Sequence, residues 1–366
     1  MSVNAIKHLN QIIITVFFMG FLVSCKTNKI PISNNKTSKE VDIYVAGYEY
    51  NDSKFESGIE EIADEVGMKH VAKLWKNGKN INLEEKENYS DANSVFVHNK
   101  DVYAGGSIMS GGEYVATLWK NGKIQKLTDG KKTAHINSVI IQDNSIYLLG
   151  EHFVDPNYVI KVWKNGIATN VTDGKNWVGG RSFFVDKDDV YICGYENNGT
   201  KSVAKVWKNG VAQSLTNGLN NAHALSIYVE NGNVYVVGYE IENDKYFVKL
   251  WKNGKVQNLS DGSNTSFPSA VFVQKGNVYV VGNENINGKS VAKLWINGKP
   301  QNITDGTNSA NADAIVVHND TIYIVGYEEN DLGRDVAKLW INGVARNLTD
   351  GTKNGYAQSV FVVEKK

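Results

Sequence analysis

Residues whose side chains could bind a small polar ligand recur at one point of a 44-residue repeat, just before a short apolar run. Their types differ from copy to copy, and they include aromatic, imidazole, guanidinium and carboxylate groups. Aromatic faces and a few polar groups are the usual lining of a site for a sugar or a similar molecule. The candidate ligand-binding residues are Tyr89, Asp91, His135, Trp177, Arg181, His223, Phe267, Asp313 and Tyr356. The alternative is that these positions vary because nothing constrains them.

Four of these residues could also take part in acid–base chemistry. Asp91, Asp313, His135 and His223 are the types that a polysaccharide hydrolase or lyase would use. They are spread over several repeats, whereas catalytic sites usually concentrate their acids, bases or metal ligands. The sequence therefore favours binding without catalysis, and an enzyme acting on polysaccharide is the alternative.

Sequence motifs for cofactors and metals are largely missing. The chain has no P-loop, no dinucleotide-binding glycine loop, no Gly-x-Ser-x-Gly and no Cys/His spacing typical of a metal site. Thr-Asp-Gly triplets could bind calcium, but an Asx turn explains them without an ion. The segment Asn283–Gly288 resembles a calcium loop only faintly, because it lacks aspartates. We predict no cofactor and no metal.

The elements that would position the candidate residues come from a regular repeat. Each repeat contains a tryptophan, an Asn-Gly pair two residues later, and a small residue nineteen residues after the tryptophan that opens an apolar run. A tyrosine and, three residues on, a glycine follow in a second apolar run. The tryptophans are Trp75, Trp119, Trp163, Trp207, Trp251, Trp295 and Trp340.

Each repeat predicts four antiparallel strands. In one repeat they cover Ser226–Val229, Val234–Val237, Tyr246–Trp251 and Val256–Leu259, and Asn253-Gly254 suits a two-residue hairpin. Four short strands in about 44 residues are typical of one blade of a β-propeller. Seven copies predict an all-β, seven-bladed β-propeller over residues 41–366.

The phase of the repeat also predicts how the ring closes. The domain begins at Val41 with the tyrosine strand and ends with Ser359–Val362, which is the first strand of a repeat. One blade must therefore combine the C-terminal strand with three N-terminal strands, which leaves no open edge.

Residues that recur in nearly every copy are best explained by blade packing. The lysine two residues before each tryptophan could pair with a glutamate that follows the second strand. The lysines are Lys73, Lys161, Lys205, Lys249, Lys293 and Lys338, and the glutamates are Glu49, Glu196, Glu240, Glu284 and Glu328. We expect Cys193, in a strand position that is apolar in other copies, to be a core residue.

These strands resemble bacterial β-propeller repeats, in which a Tyr-Val-x-Gly-Tyr strand precedes a Val-Ala-Lys-Leu strand. The similarity covers residues 41–366 and departs from the WD, kelch and quinone-dependent types. Related lipoproteins include scaffold, assembly and sugar-binding members, so the resemblance implies the fold and leaves the function open.

The N-terminus resembles the signal of a bacterial lipoprotein. Lys7 precedes an apolar run of twelve residues, Ile12–Val23, which is too short to span a membrane. It ends in Leu22-Val23-Ser24-Cys25, which is similar to a lipobox. The resemblance implies a signal peptide at 1–24, lipid attachment at Cys25, and a flexible tether at 25–40. The alternative is an ordinary signal peptide with a coincidental cysteine.

Location and partners follow from this resemblance and from the charge. Lys26 after the cysteine favours sorting to the outer membrane, with the domain facing the periplasm or the cell surface. Lysine plus arginine (39) balance aspartate plus glutamate (39), which argues against a nucleic-acid partner. We expect a monomer that meets the membrane through lipidated Cys25 and binds a protein or a glycan.

The first repeat carries an acidic insert within residues 51–70. Glu56, Glu60, Glu61, Asp64 and Glu65 are among its residues, and Ile59, Ile62 and Val66 could line a short helix. It predicts a lid over the variable residues or an element that docks a partner, and the alternative is an inert decoration.

Overall fold

The computed structural model describes residues 40–51, 69–81, 83 and 89–365. The signal peptide, Cys25, all but the last residue of the tether, and residues 52–68 of the acidic insert lie outside this part. Within it, no helix is long and apolar enough to cross a membrane. The described residues form 28 strands, β1 to β28 in chain order, arranged in seven four-stranded antiparallel sheets. The predicted all-β, seven-bladed propeller is confirmed.

The four strands of each blade follow one another from the central channel outward. Blade 1 consists of β28 (Gly355–Glu364), β1 (Val41–Tyr50), β2 (His70–Lys76) and β3 (Lys79–Ile81). Blade 2 consists of β4 (Ser90–His98), β5 (Asp101–Ser110), β6 (Glu113–Lys120) and β7 (Lys123–Lys126). Blade 3 consists of β8 (Ala134–Gln142), β9 (Ser145–Phe153), β10 (Tyr158–Lys164) and β11 (Ile167–Asn170). Blade 4 consists of β12 (Val178–Asp186), β13 (Asp189–Asn197), β14 (Ser202–Lys208) and β15 (Val211–Ser214).

The remaining three blades repeat the same order. Blade 5 consists of β16 (Ala222–Glu230), β17 (Asn233–Glu242), β18 (Lys245–Lys252) and β19 (Lys255–Asn258). Blade 6 consists of β20 (Ser266–Gln274), β21 (Asn277–Ile286), β22 (Lys289–Ile296) and β23 (Lys299–Asn302). Blade 7 consists of β24 (Ala310–His318), β25 (Thr321–Glu329), β26 (Asp335–Ile341) and β27 (Val344–Asn347).

Blade 1 closes the ring as the phase of the repeat predicts. The C-terminal strand β28 pairs antiparallel with β1, from Val41 opposite Glu364 to Glu49 opposite Gly355. The two ends of the described propeller therefore lie in one sheet, and the blade that they form has four strands like the other six.

Tryptophans on the third strands fill the wedges between blades, because a large apolar ring can span the gap that widens away from the axis. All seven are at most 2% exposed. Trp119 of blade 2, for example, packs against Ala46 and Leu74 of blade 1. Cys193 is fully buried in the core between blades 4 and 5, and burial raises the pKa of its thiol.

The recurring lysine–glutamate pairs form across the hairpin between strands two and three. Lys73 lies 3.0 Å from Glu49, and Lys338 lies 3.0 Å from Glu328. Lys205 with Glu196, Lys249 with Glu240 and Lys293 with Glu284 form the same pair.

The Asn-Gly hairpins also form as predicted, and their asparagines have a second role. In all seven copies the asparagine has a φ between 47° and 52°, as a type I′ turn requires. Its side-chain oxygen also accepts a hydrogen bond from the second strand, as Asn253 does from the Val234 N–H at 2.8 Å. The asparagine therefore fixes both the turn and the neighbouring strand.

The innermost strands are longer than the sequence indicates. The predicted strand at Ser226–Val229 is β16, which begins four residues earlier at Ala222. A β-bulge between Ala224 and Ser226 breaks the alternation of buried and exposed residues, and this hides the first half of the strand from sequence reading. The same bulge occurs in every blade.

The serine after the bulge links neighbouring blades. The Ser226 hydroxyl accepts a hydrogen bond from the Val271 N–H of blade 6 at 3.1 Å. Ser94 receives one from Val139, and Ser359 receives one from Val95. These small residues suit the crowded axis, as predicted, and their hydroxyls also bind the next blade.

Candidate functional site

Nine candidate ligand-binding residues fall at three positions around one end of the central channel. Five of them are the second residue of an innermost strand: Asp91, His135, His223, Phe267 and Tyr356. Arg181 and Asp313 are the extra residues of two β-bulges. Tyr89 and Trp177 immediately precede β4 and β12, and Trp177 is 64% exposed. Seven of the nine therefore lie within strands and not, as the sequence suggested, in loops before them.

The second residue of each innermost strand faces a residue of the second strand in register. We call these seven pairs the mouth ring. The pairs are Tyr356–Tyr48, Asp91–Ser107, His135–Glu151, Gly179–Tyr195, His223–Tyr239, Phe267–Asn283 and Asn311–Tyr327. The second-strand members come one residue after the recurring glycine, and sequence reading missed them. A partial signal was available, since Ser107, Glu151 and Asn283 replace the tyrosine that the other four blades carry at this position.

A glycine in each second strand holds the mouth ring in place. A Cβ on Gly238 would lie 2.0 Å from the carbonyl oxygen of His223, which no side chain could tolerate. In the other six blades, a Cβ on the equivalent glycine would lie 1.9–2.0 Å from the carbonyl oxygen of the first-strand member of the same pair. The close approach lets the bulge form, so the glycine determines where each ring residue sits.

Blades 4 to 6 contribute a continuous row of aromatic rings, the aromatic arc, made of Tyr195, His223, Tyr239, Tyr246 and Phe267. His223 stacks on Tyr195 at a centroid distance of 4.0 Å and on Tyr239 at 5.1 Å. Phe267 packs against Tyr246 at 4.8 Å. Burial, with a smaller contribution from the charge of Arg181, lowers the pKa of His223 to about 4. His223 is therefore a neutral ring at physiological pH.

Blade 4 departs from the pattern because its first-strand member is Gly179. A Cβ there would lie 2.4 Å from the Tyr195 ring, so the missing side chain lets Tyr195 fold over this position. Arg181 lies over the same ring, with its guanidinium carbon 5.4 Å from the centroid. Arg181 is exposed and brings a positive charge to this side of the ring.

Blades 2 and 3 are joined by a hydrogen-bonded chain from Asp91 through Ser107 to His135. The Ser107 hydroxyl donates to Asp91 Oδ2 at 2.7 Å and lies 3.1 Å from His135 Nδ1. Asp91 Oδ1 accepts from Asn93 and from the Ser107 N–H. Burial raises the pKa of Asp91 to about 6, against the effect of these bonds. Ser107 stands in the middle of the chain and is fully buried, so this arrangement is not a Ser-His-Asp triad.

Blade 1 and its neighbour blade 7 bring a second aromatic group to the ring. We call Tyr48, Tyr50, Tyr327 and Tyr356 the tyrosine cluster. Tyr356 lies 5.0 Å from Tyr48 and 4.9 Å from Tyr327 between ring centroids, and its hydroxyl donates to Asp335 at 2.6 Å. Burial raises the pKa of Tyr48, and the charges of Tyr50, Asp313 and Asp91 raise it further. Asp313 and Asp91 therefore both lie near Tyr48.

Asp313 and Asn311 of blade 7 leave two oxygens without partners. The Asn311 amide donates to Asp313 Oδ1 at 2.5 Å. Asn311 Oδ1 and Asp313 Oδ2 are shielded from solvent, and neither receives a hydrogen bond. Burial raises the pKa of Asp313 to about 7, from an ordinary value of 3.8.

The middle of the channel, beyond the mouth ring, is mostly apolar. One residue of each innermost strand lines it, two positions after the serine or alanine that follows the bulge. We call these seven residues the lower ring. The lower ring consists of Phe96, Ile140, Phe184, Tyr228, Phe272, Val316 and Phe361. Phe361 and Phe96 contact each other at 4.6 Å, and Tyr228 contacts both Phe184 and Phe272 at 4.8 Å. The far end of the channel is polar again, because the residues two positions beyond the lower ring are His98, Gln142, Asp186, Glu230, Gln274 and His318 in six of the seven blades. The predicted ligand-binding residues all lie at the end with the mouth ring.

The Asp-Gly turns of the described residues are explained without a metal ion. Each turn aspartate accepts a hydrogen bond from the N–H two residues on, as Asp305 does from Thr307 at 2.8 Å, which is an Asx turn. No group of three or more His, Cys, Asp or Glu side chains in the described ranges is arranged to hold a metal ion. A cavity of about 400 Å³ opens between blades 6 and 7, outside the mouth ring, and is lined by Asp305, Glu329 and Asp350 among others.

Comparison with known proteins supports the fold alone. The sequence matches none of the known protein-family models and none of the curated proteins. The acylaminoacyl peptidase of Pyrococcus horikoshii is structurally similar over 87% of this chain and 52% of its own, with 14% identity and a TM-score of 0.53. This chain thus spans about half the length of that peptidase. A putative TolB from Agrobacterium tumefaciens is similar over 66% of this chain and 94% of its own, with 12% identity and a TM-score of 0.45, too low to support an inference.

The raised pKa of Asp313 predicts a pH-dependent cost in stability. Unfolded aspartate loses its proton near 3.8, whereas folded Asp313 keeps it to about 7. Between pH 3.8 and about pH 7 the folded state therefore binds more protons than the unfolded state. The stability that this protonation contributes is greatest below pH 3.8 and is lost as the pH rises to about 7. We expect Asp313→Asn to raise the free energy of unfolding by about 1–3 kcal/mol at about pH 8, and to change it little at about pH 4.

Denaturant unfolding at several pH values would measure this difference. Asp305→Asn is the matched control, because Asn217 occupies the equivalent turn position naturally. Hydrogen bonds to Thr307 lower the pKa of Asp305, so the control should not gain stability at high pH. A destabilised Asp313→Asn protein at about pH 8 would contradict the account.

Proposed function

We propose that this protein is a lipid-anchored propeller of the bacterial cell envelope that binds a glycan at its mouth ring without cleaving it. The observation that carries the proposal is the aromatic arc and the tyrosine cluster on one end of the channel. His135 and Glu151 lie between them and Arg181 lies beside the arc, and the polar groups of these three residues can bond hydroxyls. Flat rings beside a few fixed polar groups suit the alternating apolar faces and hydroxyl edges of sugars.

Binding is favoured over catalysis by the hydrogen bonding of the mouth. Both oxygens of Asp91 are occupied within the protein, by Asn93 and Ser107. His223 is held between two tyrosines and bonded to the Tyr239 hydroxyl at 3.2 Å. Groups tied in this way serve to shape a surface, since proton transfer to a ligand would require them to break these contacts.

A polysaccharide hydrolase or lyase is the second candidate, and one observation favours it. Asp313 combines an unpartnered oxygen with a pKa near 7, as a general acid at neutral pH would. Release of new reducing ends or unsaturated sugars from a bound polysaccharide would establish it.

A protein partner remains an alternative ligand on the same face. Loops of this face expose Trp177, Leu219 and Leu332, which are 64%, 75% and 79% exposed. These side chains are scattered over separate blades, whereas protein interfaces usually gather their apolar anchors at one centre. The glycan is therefore the preferred ligand.

The lipid anchor would join the propeller on the side opposite the mouth ring. β1 begins at Val41 and reaches the ring at Tyr48, so the chain enters from the far end of the channel. Seven residues of extended strand separate the two points by roughly 23 Å. A lipid at Cys25, followed by the tether at 25–40, is consistent with a mouth that points away from an outer membrane.

Glycan binding is tested by an array of bacterial polysaccharide fragments, followed by titration of the best ligand. His223→Ala and Phe267→Ala remove surface from the aromatic arc, and we expect each to weaken binding by about tenfold or more. Val256→Ala, on the exposed rim of blade 5, is the control and should bind as the wild type does. Unchanged affinity in both arc variants would rule out the mouth ring as the binding site.

Lipid attachment is tested with the two cysteines of the chain. In cells fed a clickable fatty acid, the wild-type protein should take up the label and fractionate with membranes. Cys25→Ser should abolish the label and the membrane association. Cys193→Ser should retain the label and the membrane association, because Cys193 is buried in the core. Label on the Cys25→Ser protein would refute the lipoprotein assignment.

A further inference from the structure

We propose that the mouth ring binds a protonated amine between blades 7 and 1, at Asp313, Asn311 and the tyrosine cluster, and that its glycan therefore contains a free amino sugar. This inference rests on the proposed function and narrows it to a chemical class of ligand. It is drawn from the unpartnered acceptors, the aromatic surroundings and the distribution of charge around the ring.

Two unpartnered acceptors call for a ligand that carries donors. Asn311 Oδ1 and Asp313 Oδ2 receive no hydrogen bond and are hidden from solvent, although both residues are half-buried at the open end of the channel. Buried acceptors without donors cost about 1–3 kcal/mol each. An ammonium group carries three donors and no acceptor, so it could satisfy both oxygens at once.

The aromatic surroundings of these acceptors favour a cation. Tyr48, Tyr327 and Tyr356 are half-buried, packed on one another, and adjacent to Asp313 around the ring. Their faces are electron-rich, and a cation within about 6 Å of such a face is attracted to it. A carboxylate beside several tyrosines is therefore suited to an organic cation.

The distribution of charge around the ring also favours a cation near Asp313 on blade 7. No lysine or arginine of the described ranges pairs with Asp313, while Asp91 lies on the other side of Tyr48. Among the residues at the ring and bulge positions, the one arginine or lysine is Arg181 on blade 4, three of the seven blades away from Asp313. Both occupy the bulge position of their strands, so they lie at the same depth on nearly opposite sides. A cationic group is drawn to blade 7 and repelled from blade 4.

An inorganic cation fits these residues less well. Calcium prefers six to eight oxygen ligands, and magnesium six in octahedral geometry. The described residues at this point offer one unpartnered carboxylate oxygen and one amide oxygen. An ammonium needs fewer acceptors and gains from the tyrosine faces, which a hydrated metal ion does not.

The test compares two oligosaccharides of equal length at neutral pH, one of glucosamine and one of N-acetylglucosamine, by calorimetric titration of the full protein. We expect the wild type to bind the glucosamine oligomer at least tenfold more tightly. Asp313→Asn should remove this preference, because it removes the charge and keeps the shape. Asp305→Asn, an Asp-to-Asn change in an exposed turn, should preserve it.

Three outcomes would count against the inference in different ways. Equal affinity of the wild type for both oligomers would overturn the amine site and leave glycan binding intact. A preference that survives in Asp313→Asn would place the amine elsewhere and overturn this site. Failure of every glycan on the array to bind would overturn the proposed function itself. Thermal unfolding of the Asp313→Asn protein would confirm that the variant is folded.

Discussion

A single backbone contact, repeated in every blade, underlies the shape of the mouth. The carbonyl oxygen of each first-strand ring residue lies so close to the recurring glycine of the second strand that a Cβ on this glycine would be only 1.9–2.0 Å from the oxygen. With glycine in that place the innermost strand can bulge, and the bulge turns one extra side chain toward the axis. The recurring glycine is thus a structural residue on which the ring and bulge residues depend. Its neighbours are then free to vary, because the backbone already fixes their position.

The seven ring positions divide into regions of different chemistry. Blades 4 to 6 carry the aromatic arc and Arg181, and blades 7 and 1 carry Asp313, Asn311 and the tyrosine cluster. The arc is internally satisfied, since His223 is neutral and bonded to Tyr239. The blade 7 side is not, because two acceptors lack donors and burial raises the pKa of Asp313 to about 7. Proteins retain such unfavourable groups chiefly where a ligand needs them, which is why the amine is placed there.

Much of the architecture could be read from the sequence, because the repeat constrains it seven times over. The blade number, the closure by β28 and β1, the Asn-Gly hairpins and the Lys–Glu pairs all follow from spacing and alternation. The first half of each innermost strand could not be predicted, because the bulge interrupts the alternation of buried and exposed residues there. The sequence therefore indicated Asp91, His135 and His223 but not their partners Ser107, Glu151 and Tyr239, which strand register places opposite them. The unpartnered oxygens of Asn311 and Asp313 depend on side-chain geometry and leave no trace in the sequence.

The most direct test of this account compares two glycine-to-alanine variants by denaturant unfolding. In Gly238→Ala the new Cβ meets the His223 carbonyl, and we expect a loss of about 2–4 kcal/mol in the free energy of unfolding. In Gly210→Ala the hairpin glycine has a φ of +81° but no atom near its Cβ, so only backbone strain of about 1 kcal/mol should appear. A Gly238→Ala protein as stable as Gly210→Ala would contradict the claim that this contact holds the mouth ring.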